Sequence, residues 1–233
     1  ETMIQVIKRD GTREDLDTSK ISQVVAWACE GLQVSQSQIE MDSHLQFFND
    51  MTTSQIHETV ISATAELISV DEPDYQYAAS RLLLFHIRKQ AYNQYTPPHL
   101  ELHIAKHALE GRYDDAILSK WSSDELDQLN SYMDHARDLK YAYAGMRQLE
   151  AKYLVQDRTT NEIFESPQMA IMLIGMCLHE DEIPSKRLQY VKDFYDAVSL
   201  FKINLPTPIM AGVRTPTRQF SSCSKIEVGD SLD

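Results

Sequence analysis

Residues 3–9, Met-Ile-Gln-Val-Ile-Lys-Arg, alternate in polarity and are rich in β-branched side chains, and Asp10-Gly11 comes directly after them. Such a run fits a strand, and Asp-Gly is a strong two-residue hairpin signal, with a short second strand expected near Arg13–Leu16. This hairpin constrains the fold more than any other stretch, because the chain beyond it is mostly helical in period. Asp17, Thr18 or Ser19 can cap the first helix. In it Ile21, Val24, Val25, Cys29 and Leu32 recur at helical spacing, which assigns Cys29 to the buried face. A polar break, Gln33–Gln38, precedes a short helix holding Ile39 and Leu45–Phe48. Thr52, Thr53 and Ser54 can cap another, with Ile56, Val60, Ala63 and Leu67 on one face. Asp71-Glu-Pro-Asp74 ends that helix and opens a long one striped by Tyr75, Ala78, Leu82 and Phe85. Arg88 and Lys89 stand near its end, where cations favour the dipole.

Residues 3–93 therefore form a hairpin followed by about four helices, and Thr96-Pro-Pro-His99 is the expected boundary. Beyond it, Leu100–Leu109, Ser123–Tyr132 and Tyr141–Leu154 have helical pattern. Tyr153–Phe164 fits a hairpin turning near Thr159–Asn161. Ser166-Pro167 opens an apolar helix containing Cys177, and Pro184 opens another over Lys186–Phe201. From Leu205 three prolines predict extended chain running into Arg218-Gln-Phe-Ser-Ser-Cys223. The expected organisation is mainly α with a small β part, in segments 1–95, 96–202 and 203–233. The close, Gly229-Asp-Ser-Leu-Asp233, lacks a cap and reads as part of something longer.

The 22 basic and 35 acidic residues give a net charge of −13. That argues against a nucleic-acid partner, which needs a basic footprint. No apolar run approaches the ~20 residues of a membrane span, and no signal peptide opens the chain. The three cysteines, Cys29, Cys177 and Cys223, are too scattered for a disulfide framework or a metal cluster, so the expected setting is the reducing cytoplasm.

Two places invite chemistry. Lys8 and Arg9 beside a tight turn, with Glu14, Asp17 and Lys20 at a helix start, suit a triphosphate, since backbone N–H groups and the helix dipole favour anions. On composition alone, exposed cations on a hairpin are the plainer reading. No Gly-rich Walker loop is present. Around Cys223, hydroxyls, an amide and two arginines suit redox or nucleophilic work on a polar, phosphorylated substrate, and a buried thiol is the equal alternative.

Val6-Ile-Lys-Arg-Asp-Gly-Thr-Arg-Glu14, Lys20-Ile21, Thr53-Ser-Gln-Ile-His57 and Asp74-Tyr-Gln-Tyr77 resemble the ATP-cone, a regulatory nucleotide-binding domain. Arg187-Leu-Gln-Tyr-Val-Lys-Asp-Phe-Tyr195, Leu205-Pro-Thr-Pro-Ile209 and Arg214-Thr-Pro-Thr-Arg-Gln-Phe-Ser-Ser-Cys223 resemble the large subunit of class I aerobic ribonucleoside-diphosphate reductases. The resemblance implies an ATP-cone of hairpin plus four-helix bundle, then a helical region leading into the first strand of a ten-stranded α/β barrel. It implies ATP or dATP, with Mg2+, bound by Lys8, Arg9, Glu14, Asp15, Leu16, Asp17, Thr18, Ser19, Lys20, Thr53, His57 and Lys89. Asp17 stands where asparagine is common in the family. Thr207 and Ser222 would meet a ribonucleoside diphosphate, and Cys223 would be one of two thiols that reduce the ribose. Asp230, Ser231 and Leu232 would begin a site for a dNTP specificity effector.

The same resemblance implies a homodimer of large subunits and a small subunit whose metal cofactor generates the radical. It also implies thioredoxin or glutaredoxin as reductant, and dATP-driven association into an inhibited oligomer. The remaining catalytic residues would lie beyond Asp233, leaving these residues able to bind nucleotide but not to turn over substrate. The alternative is an ATP-cone nucleotide sensor without catalysis, joined to a DNA-binding module. It would need a basic surface or a four-cysteine zinc site. A plain helical interaction domain would show no nucleotide binding at all.

Overall fold

The computed structural model describes residues 3–216. Three short strands, β1 (Gln5–Ile7), β2 (Arg13–Asp15) and β3 (Met51–Thr52), form a sheet of order β2-β1-β3. β1 pairs antiparallel with β2 and parallel with β3, with Val6 opposite Met51 and Ile7 opposite Thr52. The hairpin is present, but its loop holds three residues, not two. Gly11 N–H donates to Lys8 O and Lys8 N–H to Thr12 O, with Gly11 at φ 86°. That is the turn-plus-bulge closure in which glycine fills the left-handed position. Asp10 ties it by accepting from Thr12 N–H at 2.9 Å and Thr12 hydroxyl at 2.6 Å. β3 was not foreseen, because two residues are too few to display a period.

Eleven α-helices are present among the described residues: α1 (Thr18–Cys29), α2 (Gln36–His44), α3 (Thr53–Ala65), α4 (Tyr75–Tyr92), α5 (Leu100–Leu109), α6 (Ala116–Lys120), α7 (Ser123–Tyr132), α8 (Tyr143–Gln148), α9 (Pro167–Leu178), α10 (Pro184–Ser199) and α11 (Thr207–Gly212). Caps explain several starts. Asp17 caps α1 through Ser19 N–H, and Thr52 and Ser122 make capping boxes with Gln55 and Glu125. Leu45–Phe48 lie outside α2. The expected single helix Tyr141–Leu154 is instead α8 followed by a π turn (Leu149–Tyr153), and a 3-10 helix (His135–Lys140) precedes it. The hairpin near Asn161 is reduced to one antiparallel bridge, Gln156 with Ile163.

The chain divides into two units. One comprises residues through His86 with Leu139–Gln148, the other Ile87–Asp138 with the chain from Leu149 onward. The first has a core of Val6, Ile21, Val25, Ile39, Met51, Ile56, Val60 and Leu82. In the α1 stripe the buried position is Ala28, and Cys29 is only half-buried. The second unit centres on α9, where every residue from Pro167 to Met176 is buried. At ~1.5–3 kcal/mol per large apolar side chain, α9 contributes more to that unit's core than any other single helix.

Gly175 is where α9 meets α10, and a Cβ there would lie 2.7 Å from the Phe194 ring. Helix propensity favours Gly→Ala by about 1 kcal/mol, but overpacking costs about 1–3. Gly175→Ala is therefore expected to lower stability in denaturant unfolding, and a gain would contradict this packing.

Arg88 corrects the helix-dipole expectation: it is buried, bonded to Asp138 at 2.9 Å and to His135 O at 2.8 Å. The extended chain expected from Leu205 is also corrected, since Thr207–Gly212 is helical. Pro206 caps this helix and Pro208 sits in its first turn, where a missing N–H costs nothing. The prolines start a helix rather than prevent one. The proposed barrel strand and Ser222, Cys223, Asp230, Ser231 and Leu232 lie outside the described residues.

Candidate functional site

In the first unit, β1 sorts the expected nucleotide residues into two groups. Its parallel pairing with β3 brings the Lys8-Arg9 end beside the start of α3, where Thr53 is the first exposed residue. Its antiparallel pairing brings Asp15 opposite Gln5 and ties Leu16 N–H to Ile4 O at 2.8 Å, so α1 begins at the other end. Three strand residues separate the groups by about 10 Å. The helix start adjoining the two cations is thus that of α3, not of α1 as the sequence suggested.

The two ends differ electrically. At α1 the Asp17 carboxylate accepts from Ser19 N–H at 3.0 Å and Ser19 hydroxyl at 2.5 Å. The serine hydroxyl's bond holds its pKa below the ordinary carboxylate value. Thr18, Ser19 and Lys20 around it are exposed. At the other end Lys8 pairs loosely with Glu14 at 3.2 Å, both exposed, an interaction worth little in water. His57, on α3, is half-buried, its ring 5.4 Å from that of His86 and 6.1 Å from Phe85. His86 is buried and lies 3.8 Å from Glu58, which in turn holds Arg147 at 2.9 Å. Burial lowers the His86 pKa, with Glu58 opposing and Arg147 and Arg9 adding to the fall.

Arg9, His57, Glu58, His86 and Arg147 thus form one constellation of which the sequence named only Arg9 and His57. Glu58, His86 and Arg147 sit on three helices, and no spacing signal joins them. Lys89 is exposed on α4 and falls in the second unit.

In the second unit, Thr207 opens α11, exposed, with its hydroxyl 3.4 Å from that of Tyr153. Arg214 is one of the two arginines that flank the Cys223 stretch in sequence. It is buried against Glu165, itself fully buried, with Nε 3.1 Å from each carboxylate oxygen. Tyr113 hydroxyl donates to the same carboxylate at 2.6 Å, and His103 Nε2 lies 2.7 Å from that hydroxyl. Burial pushes the tyrosine pKa up and the His103 pKa well down.

His107 and His135 fall to about 4 through burial, reinforced by Arg112 and Arg88 respectively. Unfolded imidazoles take up protons near pH 6.5, so the unfolded chain binds more protons between 6.5 and 4. This contribution to stability is whole above pH 6.5 and is lost as pH falls toward 4. Ring NMR titration should find both neutral at pH 6, and a midpoint near 6.5 would contradict their burial.

Burial also raises the Cys29 thiol to about 11 and Cys177 to about 12. Both are poor thiolates. Among the described residues no helix is long and apolar enough to cross a membrane.

Comparison with known proteins matches residues 4–90 to the ATP cone domain and 139–218 to the ribonucleotide reductase all-alpha domain. The chain is 55% identical over 229 residues to ribonucleoside-diphosphate reductase 1 subunit alpha of Escherichia coli K12, covering 98% of this chain and 30% of that protein. It is 53% identical over 231 residues to the subunit alpha of Haemophilus influenzae, covering 99% and 31%. It is 50% identical over 230 residues to that of Enterobacteria phage T4, covering 99% and 30%. The chain thus spans about 30% of the length of these relatives. With an ATP cone before an all-alpha domain, it belongs to the ribonucleoside-diphosphate reductase alpha-subunit family and corresponds to its N-terminal part.

Proposed function

We propose that the first unit is the activity-regulating site of an aerobic, class I ribonucleoside-diphosphate reductase and binds ATP or dATP. The observation that carries this is the division of β1 into a cationic end and a carboxylate-capped end about 10 Å apart. The triphosphate lies at Lys8, Arg9, Thr53 and His57, where two exposed cations meet the start of α3. The nucleoside lies toward Asp15, Leu16, Asp17, Thr18, Ser19 and Lys20, because an anionic cap disfavours phosphate there, and Glu14, paired with Lys8, stands between the two groups. Magnesium arrives with the phosphates, as is usual for this ion.

In the whole subunit, Thr207 and Ser222 hold the substrate and Cys223 is half of a redox pair. The ribose 2′ hydroxyl leaves as water while two thiols give up two electrons and join as a disulfide. Thioredoxin or glutaredoxin restores the thiols, and a small subunit's metal centre supplies the radical. The alpha subunits work as a homodimer in the cytoplasm, and Asp230, Ser231 and Leu232 begin the dNTP specificity site. The 233 residues alone bind nucleotide without turning over substrate.

Calorimetry tests the first step. The chain should bind dATP, and Lys8→Ala should weaken it about 10- to 100-fold, the range of one charge-assisted contact. Absence of dATP binding would refute the regulatory site, and unchanged affinity in the variant would remove the cationic end from it.

A further inference from the structure

Resting on the reading of the first unit as a nucleotide site, we propose that Arg147 is a positioning residue of that site, holding and neutralising the Glu58 carboxylate beside His57. Glu58 follows His57 directly on α3. Its carboxylate lies 3.8 Å from His86, whose ring is 5.4 Å from that of His57. An anion in that position opposes a triphosphate, because like charges repel more strongly where water is partly excluded. A site that receives phosphate must offset Glu58, and Arg147 is the cation set against it.

The geometry is that of a clamp. Nη2 of Arg147 donates to Glu58 Oε2 at 2.9 Å and Nη1 to Oε1 at 3.4 Å, so both arms of the guanidinium meet the carboxylate. Such a fork fixes the plane of a carboxylate as well as offsetting its charge. Arg147 is aimed in its turn. Its Nε donates to the Tyr143 hydroxyl at 3.1 Å, one turn earlier on α8, and its guanidinium lies 5.4 Å from the centre of that ring. The pair is also less exposed than Lys8 and Glu14, and so less screened.

Arg147 comes from beyond the cone's own match. It lies outside residues 4–90 and inside residues 139–218, which match the all-alpha domain, yet α8 folds as part of the first unit.

His86 gives the clamp a signature in pH. The charged and titratable groups that face it are Glu58 and His57 of α3, Arg147 of α8 and Arg9 of the hairpin. Burial favours its neutral form, Arg147 and Arg9 act in the same direction, and Glu58 opposes them. Without Arg147, Glu58 would draw a proton onto His86 as pH falls, and the imidazolium would offset the carboxylate in place of the arginine. The effect of losing Arg147 is thus full in alkaline solution and shrinks in acid.

Calorimetry of dATP binding to the full-length alpha subunit, between about pH 6 and pH 8, tests this. Arg147→Met keeps the bulk and loses the charge. It should weaken dATP about 2- to 30-fold at the alkaline end, the range for a residue acting through another, and less at the acid end. Arg147→Lys keeps the charge and should recover most of the affinity. Glu58→Gln combined with Arg147→Met removes the carboxylate along with its partner, and should return the Kd to within about twofold of the parent. Parental affinity in Arg147→Met at every pH, a loss of equal size at both ends, or a double variant as weak as the single one would each overturn the role. Should Arg147→Met not fold, Glu58→Gln alone decides: it should bind dATP at least as tightly as the parent, and weaker binding would overturn the role. Absence of dATP binding by the parent would instead sink the nucleotide reading itself, an outcome that no variant's result produces.

Discussion

Replacing Asp138 with alanine is expected to cost about 3–5 kcal/mol of stability, the range for stripping one partner from a buried ion pair. Asp138 is fully buried and does two jobs. It holds the Arg88 guanidinium at 2.9 Å, and it accepts from Gln168 N–H at 3.1 Å. The second bond caps α9, whose own N-cap residue, Ser166, makes no side-chain cap bond. Alanine would leave a guanidinium without its counter-ion and an orphan N–H at the start of the most buried helix. Replacing both Asp138 and Arg88 with apolar residues of similar volume should recover much of the loss, because it is the unpaired charge that costs. Urea unfolding of the two variants measures this, and a loss below about 1 kcal/mol for the single variant would contradict the pair's burial.

The pH dependence is a second signature of the same residue. Burial raises the Asp138 carboxyl to about 6, with Arg88 and Gln168 pulling against it. The folded state then holds the extra proton between about 3.8 and 6, so this group's contribution to stability falls as pH rises through that window. Its sign is opposite to that of His107 and His135. Asp138→Asn should remove it and leave the histidine trend alone.

Local chemistry made much of this legible in advance. The alternating strand, the Thr52 cap and the Ser166-Pro167 start each depend on neighbours in sequence, and each stands within the stretch where the pattern put it. What was misread depends on partners far along the chain. Arg88 looks like a dipole-favouring surface cation until Asp138, fifty residues later, is folded against it. Arg214 looks like one of two arginines beside a reactive thiol until Glu165, forty-nine residues earlier in sequence, is folded against it. Pro206 and Pro208 look like helix breakers because the rule is strongest in helix interiors, whereas they occupy a helix start. The candidate site shows the same divide. Lys8, Arg9 and His57 were visible as motif residues, but the union of His57 with His86, Glu58 and Arg147 is purely tertiary.

The largest kinetic effect is expected from Cys223→Ser in the full-length subunit, where turnover with a dithiol should fall below roughly a thousandth of the parent rate. A serine hydroxyl cannot give up an electron to form a disulfide, so under the proposed role the two electrons that reduce the ribose would lose half of their source. Binding of dATP should stay within about twofold, because Lys8, Arg9, Thr53 and His57, the proposed dATP residues, belong to the first unit. The remaining thiols supply the control. Cys29 and Cys177 are held near 11 and 12 by burial, which leaves almost no thiolate at neutral pH. Cys29→Ala and Cys177→Ala should accordingly keep the parent's kcat even where they lower Tm. Sustained turnover by Cys223→Ser would remove this cysteine from the redox pair. Loss of turnover in Cys177→Ala without unfolding would move the search for a thiol to α9.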